Sequence, residues 1–257
     1  MGVSSFSLSG KVAVVTGGRR GIGKAIALAL AEAGAGADIA VCDRVIEDGE
    51  LEAVAGEAQR LGRRSLAVQA DITRKADMDS LVERVVAELG GIDILVNNAA
   101  MNIRAPLLEL REDGWDKVID TDLKGYYLCS QAVGKQMVSQ KRGNIINIAS
   151  TAAVKAAPEM GAYCIAKAGV VMLTRVLAVE LAQYNIRVNA IAPYIVKTKF
   201  SQPLWGDPET LKQLEAEIPI GRLAETDDII GSVLFLASDA SSYITGHTII
   251  VDGGLGT

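Results

Sequence analysis

Short apolar runs alternate with helical-period segments along the whole chain, and this alternation leaves few folds open. Residues 11–15 form a Val/Ala block that closes on a glycine turn, after which Ile22, Ile26, Ala29, Leu30 and Ala33 recur at helical spacing. Strand-like runs follow at 38–43, 65–69, 92–96, 144–148, 186–191 and 247–251, and helical segments fall at 48–61, 77–89, 112–139, 161–183 and 226–237. Strands joined by helices long enough to cross over pair in parallel and need cover on both faces. The expected fold is therefore α/β, a single domain over residues 1–257 built as a Rossmann-type doubly wound parallel sheet.

Segment 199–220 breaks this rhythm. Its Pro203, Trp205, Pro208 and Pro219 suit a short helical excursion inserted before the last helix and strand. Beside the carboxyl ends of the strands, such an insertion serves as a substrate lid; a packing arm at a subunit contact is the alternative.

Composition removes whole classes of function. Apolar residues make up 49% of the 257, yet they never pool into a run of eighteen, so no membrane span and no membrane partner is expected. Residues 1–10 hold no basic region followed by an apolar stretch, which points to a cytoplasmic protein. Cys42, Cys129 and Cys164 are odd in number and far apart, as reduced thiols are. The net charge of −5, from 26 basic and 31 acidic residues without a long basic block, argues against nucleic acid. With His247 the one histidine, zinc sites and Ser-His-Asp triads lose their usual parts, and no metal is expected.

The turn after the first strand reads Thr16-Gly17-Gly18-Arg19-Arg20-Gly21-Ile22-Gly23. Glycines there let the backbone turn sharply and bring N–H groups and a helix start up to a phosphate. Gly18 to Lys24 also meets most of a P-loop pattern, but position 25 is Ala where Mg²⁺ coordination needs Ser or Thr. The dinucleotide reading has separate support: Asp43 follows Gly23 by twenty residues, at the end of the second strand, where a carboxylate accepts from a ribose 2′-hydroxyl. It would repel a 2′-phosphate, favouring NAD, while Arg20 and Arg44 keep NADP possible.

Tyr163 and Lys167 stand four residues apart, thirteen after Ser150. On a helix an i,i+4 pair shares one face, so an ammonium beside a phenol lowers a pKa that is otherwise near 10. The same spacing also describes an ordinary surface contact.

Several motifs in register settle between these readings. Thr16 to Gly23, Asp71, Asn97-Asn98-Ala99, Ser150, Tyr163-Cys-Ile-Ala-Lys167, Asn189 with Pro193 and Thr198, and the closing Ile244-Thr-Gly246 to Asp252-Gly-Gly254 together resemble the short-chain dehydrogenase/reductase (SDR) family over essentially the whole chain. Residues 197–208 look like its carbonyl-reductase branch, with sugar and polyol dehydrogenases as close competitors. The resemblance implies an NAD(P)-dependent oxidoreductase that interconverts a secondary alcohol and a ketone, working as a homotetramer or homodimer. It assigns Tyr163 as general acid/base, Lys167 as the group that acidifies the phenol and holds the nicotinamide ribose, and Ser150 as the hydrogen-bond partner of the reacting oxygen. It further implies a cofactor site of Gly17, Arg19, Arg20, Gly21, Ile22, Gly23, Asp43, Arg44, Asp71, Ile72, Asn98, Ala99, Pro193, Ile195 and Thr198, besides Tyr163 and Lys167. Tyr194, Phe200 and Trp205 would join Ser150 in the substrate pocket.

Two positions depart from the family pattern. Asp122 stands where the fourth catalytic residue is asparagine; ionised, it would pair with Lys167, and Asp122→Asn is expected to keep or raise kcat while shifting its pH profile. Tyr194 follows Pro193 where glycine is usual, and either narrows the pocket or packs under 199–220. The turn at 34–37 is also longer than the family's. The competing readings are a dinucleotide-binding regulatory or scaffold protein that has lost turnover, supported only by Asp122 and Tyr194, and a P-loop hydrolase.

Overall fold

The computed structural model describes residues 6–33 and 36–256, so part of the lengthened turn at 34–37 lies outside the described residues. The seven apolar runs form one parallel sheet: β1 (Val12–Thr16), β2 (Asp38–Asp43), β3 (Ser65–Gln69), β4 (Ile94–Asn97), β5 (Gly143–Ile148), β6 (Ile186–Pro193) and β7 (Thr248–Val251). Their order, β3-β2-β1-β4-β5-β6-β7, reverses direction between β1 and β4. A parallel sheet opens a crevice at such a switch point, beyond the carboxyl ends of its strands.

The helices are α1 (Gly21–Glu32), α2 (Glu50–Arg60), α3 (Lys75–Leu89), α4 (Glu112–Ile119), α5 (Gly125–Gln140), α6 (Gly161–Leu181), α7 (Gln202–Trp205), α8 (Pro208–Glu217) and α9 (Asp227–Ala237). Successive strand residues point to opposite faces, and the core divides accordingly. Ala13, Val15, Ile39, Val41, Ile94 and Val96 meet α1, α2 and α9. Val12, Val14, Ala40, Cys42, Leu95 and Ile145 meet α3, α5 and α6. Each fully buried Val, Ile or Leu contributes about 1.5–3 kcal/mol, which is why both sides of the inner strands are largely apolar.

A polar thread crosses this core. Asn97 Nδ2 donates to Asn147 Oδ1 at 2.8 Å, and Asn147 Nδ2 donates to Thr174 Oγ1 at 2.8 Å, linking β4, β5 and α6. Asn189 holds the approach to β7 in the same way, donating to the Ile244 carbonyl and accepting from His247 N.

One expectation is corrected, and two further features of the helices bear on the site. The helix expected over 112–139 is interrupted: α4 passes into a π-helical turn, Asp120–Lys124, before α5 begins. Gly125 N–H reaches back to the Asp120 carbonyl, and a Cβ on Gly125 would lie 2.6 Å from Ile72 Cδ1, so the chain widens where it packs against the loop after β3. The excursion at 199–220 holds two short helices, α7 and α8. The stretch Gly161–Tyr184 is long and apolar enough to cross a membrane by length and composition, with mean hydropathy 1.6. One face of it, including Ala166, Val170 and Ala178, is nevertheless buried in the protein, as in the core helix of an α/β fold.

Candidate active site

A cleft of about 830 Å³ opens at the switch point. Its floor begins with the glycine turn. Gly17 takes φ 62°, and a Cβ on Gly23 would lie 2.2 Å from the Gly17 carbonyl oxygen, a clash no side chain survives. Asn98 Nδ2 braces the turn from below, donating to the Thr16 and Gly17 carbonyls at 2.9 and 3.2 Å. The α1 N-terminus has no side-chain cap and no acid in its first turn. Its N–H groups therefore face the cleft unclaimed, which fits a pyrophosphate.

Asp43 closes β2 at the far end, its Oδ1 accepting from Val45 N at 3.0 Å. Arg19, nearly buried, is held by three acids: Nε lies 3.8 Å from Asp43 Oδ1, while Nη1 donates to Glu50 at 2.9 Å and to Asp48. Its Nε makes no hydrogen bond. Arg20 and Arg44 line the same end, exposed. The Asp71 carboxylate is turned to its own loop, accepting from Thr73 N and Oγ1 at 2.9 and 2.7 Å. Glycine cradle, free helix start and terminal acid together fit a dinucleotide.

At the other end β5 delivers Ser150 and α6 delivers Tyr163 and Lys167 to one wall. Ser150 Oγ accepts from Ala152 N at 3.1 Å and donates to the Pro193 carbonyl at 3.5 Å. Lys167 is 1% exposed. Its ammonium donates to the Ile148 carbonyl at 3.1 Å and to Tyr126 OH at 3.2 Å, and lies 3.4 Å from Asp122 Oδ2. Asp122, on the π turn, is fully buried; Oδ1 accepts from Met101 N at 2.8 Å, while Oδ2 has only the ammonium opposite it and no well-directed hydrogen bond. The widened turn rotates this carboxylate inward beneath α6.

Burial governs the ionisation of all three groups. It pushes the Asp122 carboxyl up to about 6, with Lys167 and the Met101 N–H pulling it down. It pushes Lys167 below the usual lysine range, with Asp122 opposing. Burial and then the Asp122 charge push the Tyr163 phenol well above its ordinary value, and Ser150 pulls it back. The ammonium lies 5.4 Å from the Tyr163 ring centroid, facing the ring. In this arrangement the lysine is turned toward Tyr126 and Asp122 rather than toward the phenol oxygen.

Every residue expected in the cofactor or substrate site lines the cleft except Asp122 and Trp205. Asp122 lies behind the wall, against Lys167. Trp205 is bound within segment 199–220: its indole N–H donates to Ser201 Oγ, one helical turn earlier, at 2.9 Å. Phe200 sits 6.3 Å from the Tyr163 ring at a tilt of 42°. Tyr194 lines the cleft half-buried, its phenol raised by burial and by Glu217 of α8. Sequence reasoning missed Tyr126, Met101 and Glu217. Tyr126 stands four residues after Asp122, a spacing that could have exposed it; Met101 contributes a backbone N–H and Glu217 meets the cleft only through folding, so neither carries a signal.

A family model described as enoyl-(acyl carrier protein) reductase matches residues 17–256. The chain is 42% identical over 254 residues to 2-dehydro-3-deoxy-D-gluconate 5-dehydrogenase of Escherichia coli (strain K12), covering 98% of each. It is 41% identical over 245 residues to 3-oxoacyl-(acyl-carrier-protein) reductase of Staphylococcus epidermidis, covering 95% of this chain and 98% of that one. Among solved structures, a gluconate 5-dehydrogenase from Burkholderia cenocepacia J2315 in complex with NADP and tartrate superposes with a TM-score of 0.93 at 35% identity, covering 98% of this chain and 97% of the other. Fold, cleft and relatives agree: the chain belongs to the short-chain dehydrogenase/reductase family and is an NAD(P)-dependent oxidoreductase.

Proposed function

We propose that the enzyme interconverts a secondary alcohol and a ketone on a small polyhydroxylated substrate, with Tyr163 as general acid/base. One observation carries this reading: Ser150, Tyr163 and Lys167 share one wall of a cleft whose far end holds the glycine turn and Asp43. Bound NAD(P)(H) supplies or accepts the hydride. Tyr163 gives a proton to the carbonyl oxygen or takes one from the alcohol, Ser150 hydrogen-bonds that oxygen, and the buried Lys167 charge favours the phenolate form. Of the two branches open to residues 197–208, the names of the gluconate-type relatives favour the sugar and polyol one over carbonyl reductases. The presence of all three side chains on one wall supports turnover over a scaffold role.

Several finer points belong to the same reading. NAD is preferred: Asp43 repels a 2′-phosphate, and Arg19 cannot offset this because Asp48 and Glu50 already engage it. Arg20 and Arg44, without carboxylate partners among the described residues, leave NADP as a weaker cofactor. Segment 199–220 acts as the substrate lid, bringing Phe200 and Glu217 over Tyr163 and Tyr194. The enzyme works in the cytoplasm as a symmetric assembly of two or four copies, for which the exposed Ile165, Met172, Val176 and Val179 on α6 offer an apolar face.

Tyr163→Phe should lower kcat by about 10²–10⁴-fold while leaving dinucleotide affinity intact; steady-state assay on sugar acids and polyols, with NADH fluorescence titration, reads both, and a normally active variant refutes the assignment. kcat/KM should favour NAD over NADP by at least about tenfold, or about 1.4 kcal/mol, and an NADP advantage in the same assay overturns the preference. Light scattering should return a mass two or four times that of the chain; a monomer contradicts the assembly.

Asp122 gives a pH-dependent test. Its folded-state carboxyl, raised to about 6 from 3.8, adds stability fully present below about pH 4 and lost as pH rises through about 6. Asp122→Asn has no such loss, so its Tm relative to wild type should climb between pH 4 and 6 and level off above; a constant difference across that window rules out the buried, raised carboxyl.

A further inference from the structure

The side chain that holds Lys167 most closely besides the backbone is Tyr126, which lies outside the cleft and has no role in the chemistry proposed above. An ammonium carries three N–H donors, and one buried at 1% exposure needs an acceptor for each. Three surround it: the Ile148 carbonyl at 3.1 Å, Tyr126 OH at 3.2 Å and Asp122 Oδ2 at 3.4 Å. Tyr126 OH itself donates to the Ile148 carbonyl at 3.1 Å. Its proton is thereby committed, and its lone pairs are left for the ammonium. The Tyr126 ring lies 4.6 Å from Lys167 Nζ, within cation–π range, so one side chain supplies both a hydrogen-bond acceptor and a π face.

Local structure explains the placement. Asp122 on the π turn and Tyr126 at the start of α5 are four residues apart, on one face of the continuing helix, and both project beneath α6. Core packing alone would be met by phenylalanine, since the hydroxyl oxygen adds only these two polar contacts. We propose that Tyr126 is a positioning residue for Lys167: its hydroxyl and ring, with Asp122 and the Ile148 carbonyl, form a three-sided seat that fixes the ammonium beside Tyr163. This rests on the dehydrogenase reading given above.

The titratable groups around the seat are Asp122 on the π turn, Cys129 on α5, and Tyr163 and Cys164 on α6. Burial keeps the Tyr126 phenol protonated across the working range, so it acts on Lys167 as a fixed dipole. Removing the hydroxyl takes away an acceptor that favours the charged lysine, weakening the positive charge that the Tyr163 phenolate relies on.

The test is Tyr126→Phe in the full-length protein, measured as pH profiles of kcat for alcohol oxidation with NAD and with NADP, alongside KM, NADH affinity and Tm. The expected result is a fall in kcat of about tenfold or more, as for loss of a hydrogen bond to a charged group, with the alkaline-activating limb moved to higher pH and KM little changed. A kcat within twofold of wild type on an unmoved limb overturns the proposal. So does a fall equal at every pH that tracks a lowered Tm, since that is a packing defect. If the variant does not fold, NMR of the wild-type protein decides: a nuclear Overhauser contact between the Lys167 ζ-protons and the Tyr126 ring supports the seat, and its absence overturns it. Wild-type protein inactive with both dinucleotides would overturn the dehydrogenase reading itself, a result distinct from an active wild type whose pH limb is indifferent to Tyr126.

Discussion

A lysine ammonium removed from water organises one wall of the cleft. Desolvating such a charge costs several kcal/mol unless neighbouring groups replace the lost hydration. The replacements around Lys167 come from three separate elements: the carbonyl at the end of β5, a carboxylate on the π turn and a phenol on α5. The second and third lie on the π turn and one turn beyond it, and both meet the ammonium. A regular α-helix through 112–139 would place the Asp122 side chain differently relative to α6, leaving the ammonium short of an acceptor. The irregularity in the helix is thus tied to the chemistry of the wall above it.

The dinucleotide end works by the opposite logic, keeping polar groups unsatisfied. The α1 N-terminus carries neither cap nor acid, and the glycine turn presents backbone where a side chain would intrude. Charge beside the end of β2 is then set by three carboxylates around Arg19. An arginine that is buried but already neutralised adds little attraction for a phosphate, however close it lies.

Much of this was legible in the sequence, for identifiable reasons. Two-sided burial makes the inner strands largely apolar and the half-buried edge strands β3 and β7 keep short apolar blocks, so all seven strands could be read directly, and the glycines and Asp43 declare themselves by spacing that the geometry of a strand, turn and helix imposes. Ser150, Tyr163 and Lys167 were legible as a register of motifs. What escaped was contact made in three dimensions. The π turn could not be read from hydrophobic periodicity, because Asp120, Thr121, Asp122 and Lys124 are polar and leave a single apolar residue to fix the phase of the turn. Trp205 was placed in the pocket by its position in a specificity segment, but its indole N–H found a hydroxyl one turn away, a local preference that sequence position alone does not rank. Tyr126 lay hidden among apolar neighbours, where an aromatic residue reads as core.

The asparagine–asparagine–threonine thread across β4, β5 and α6 bears on how the cleft keeps its shape. Directional bonds buried in an apolar core resist shear, because sliding one strand or helix past another would strand amide groups without partners. The floor of the cleft, with Ser150 at the end of one bonded strand and Tyr163 on the bonded helix, is therefore a single rigid block. Segment 199–220, with α7 and α8, lies at the rim outside this bonded thread and meets the block through Phe200, whose ring faces that of Tyr163.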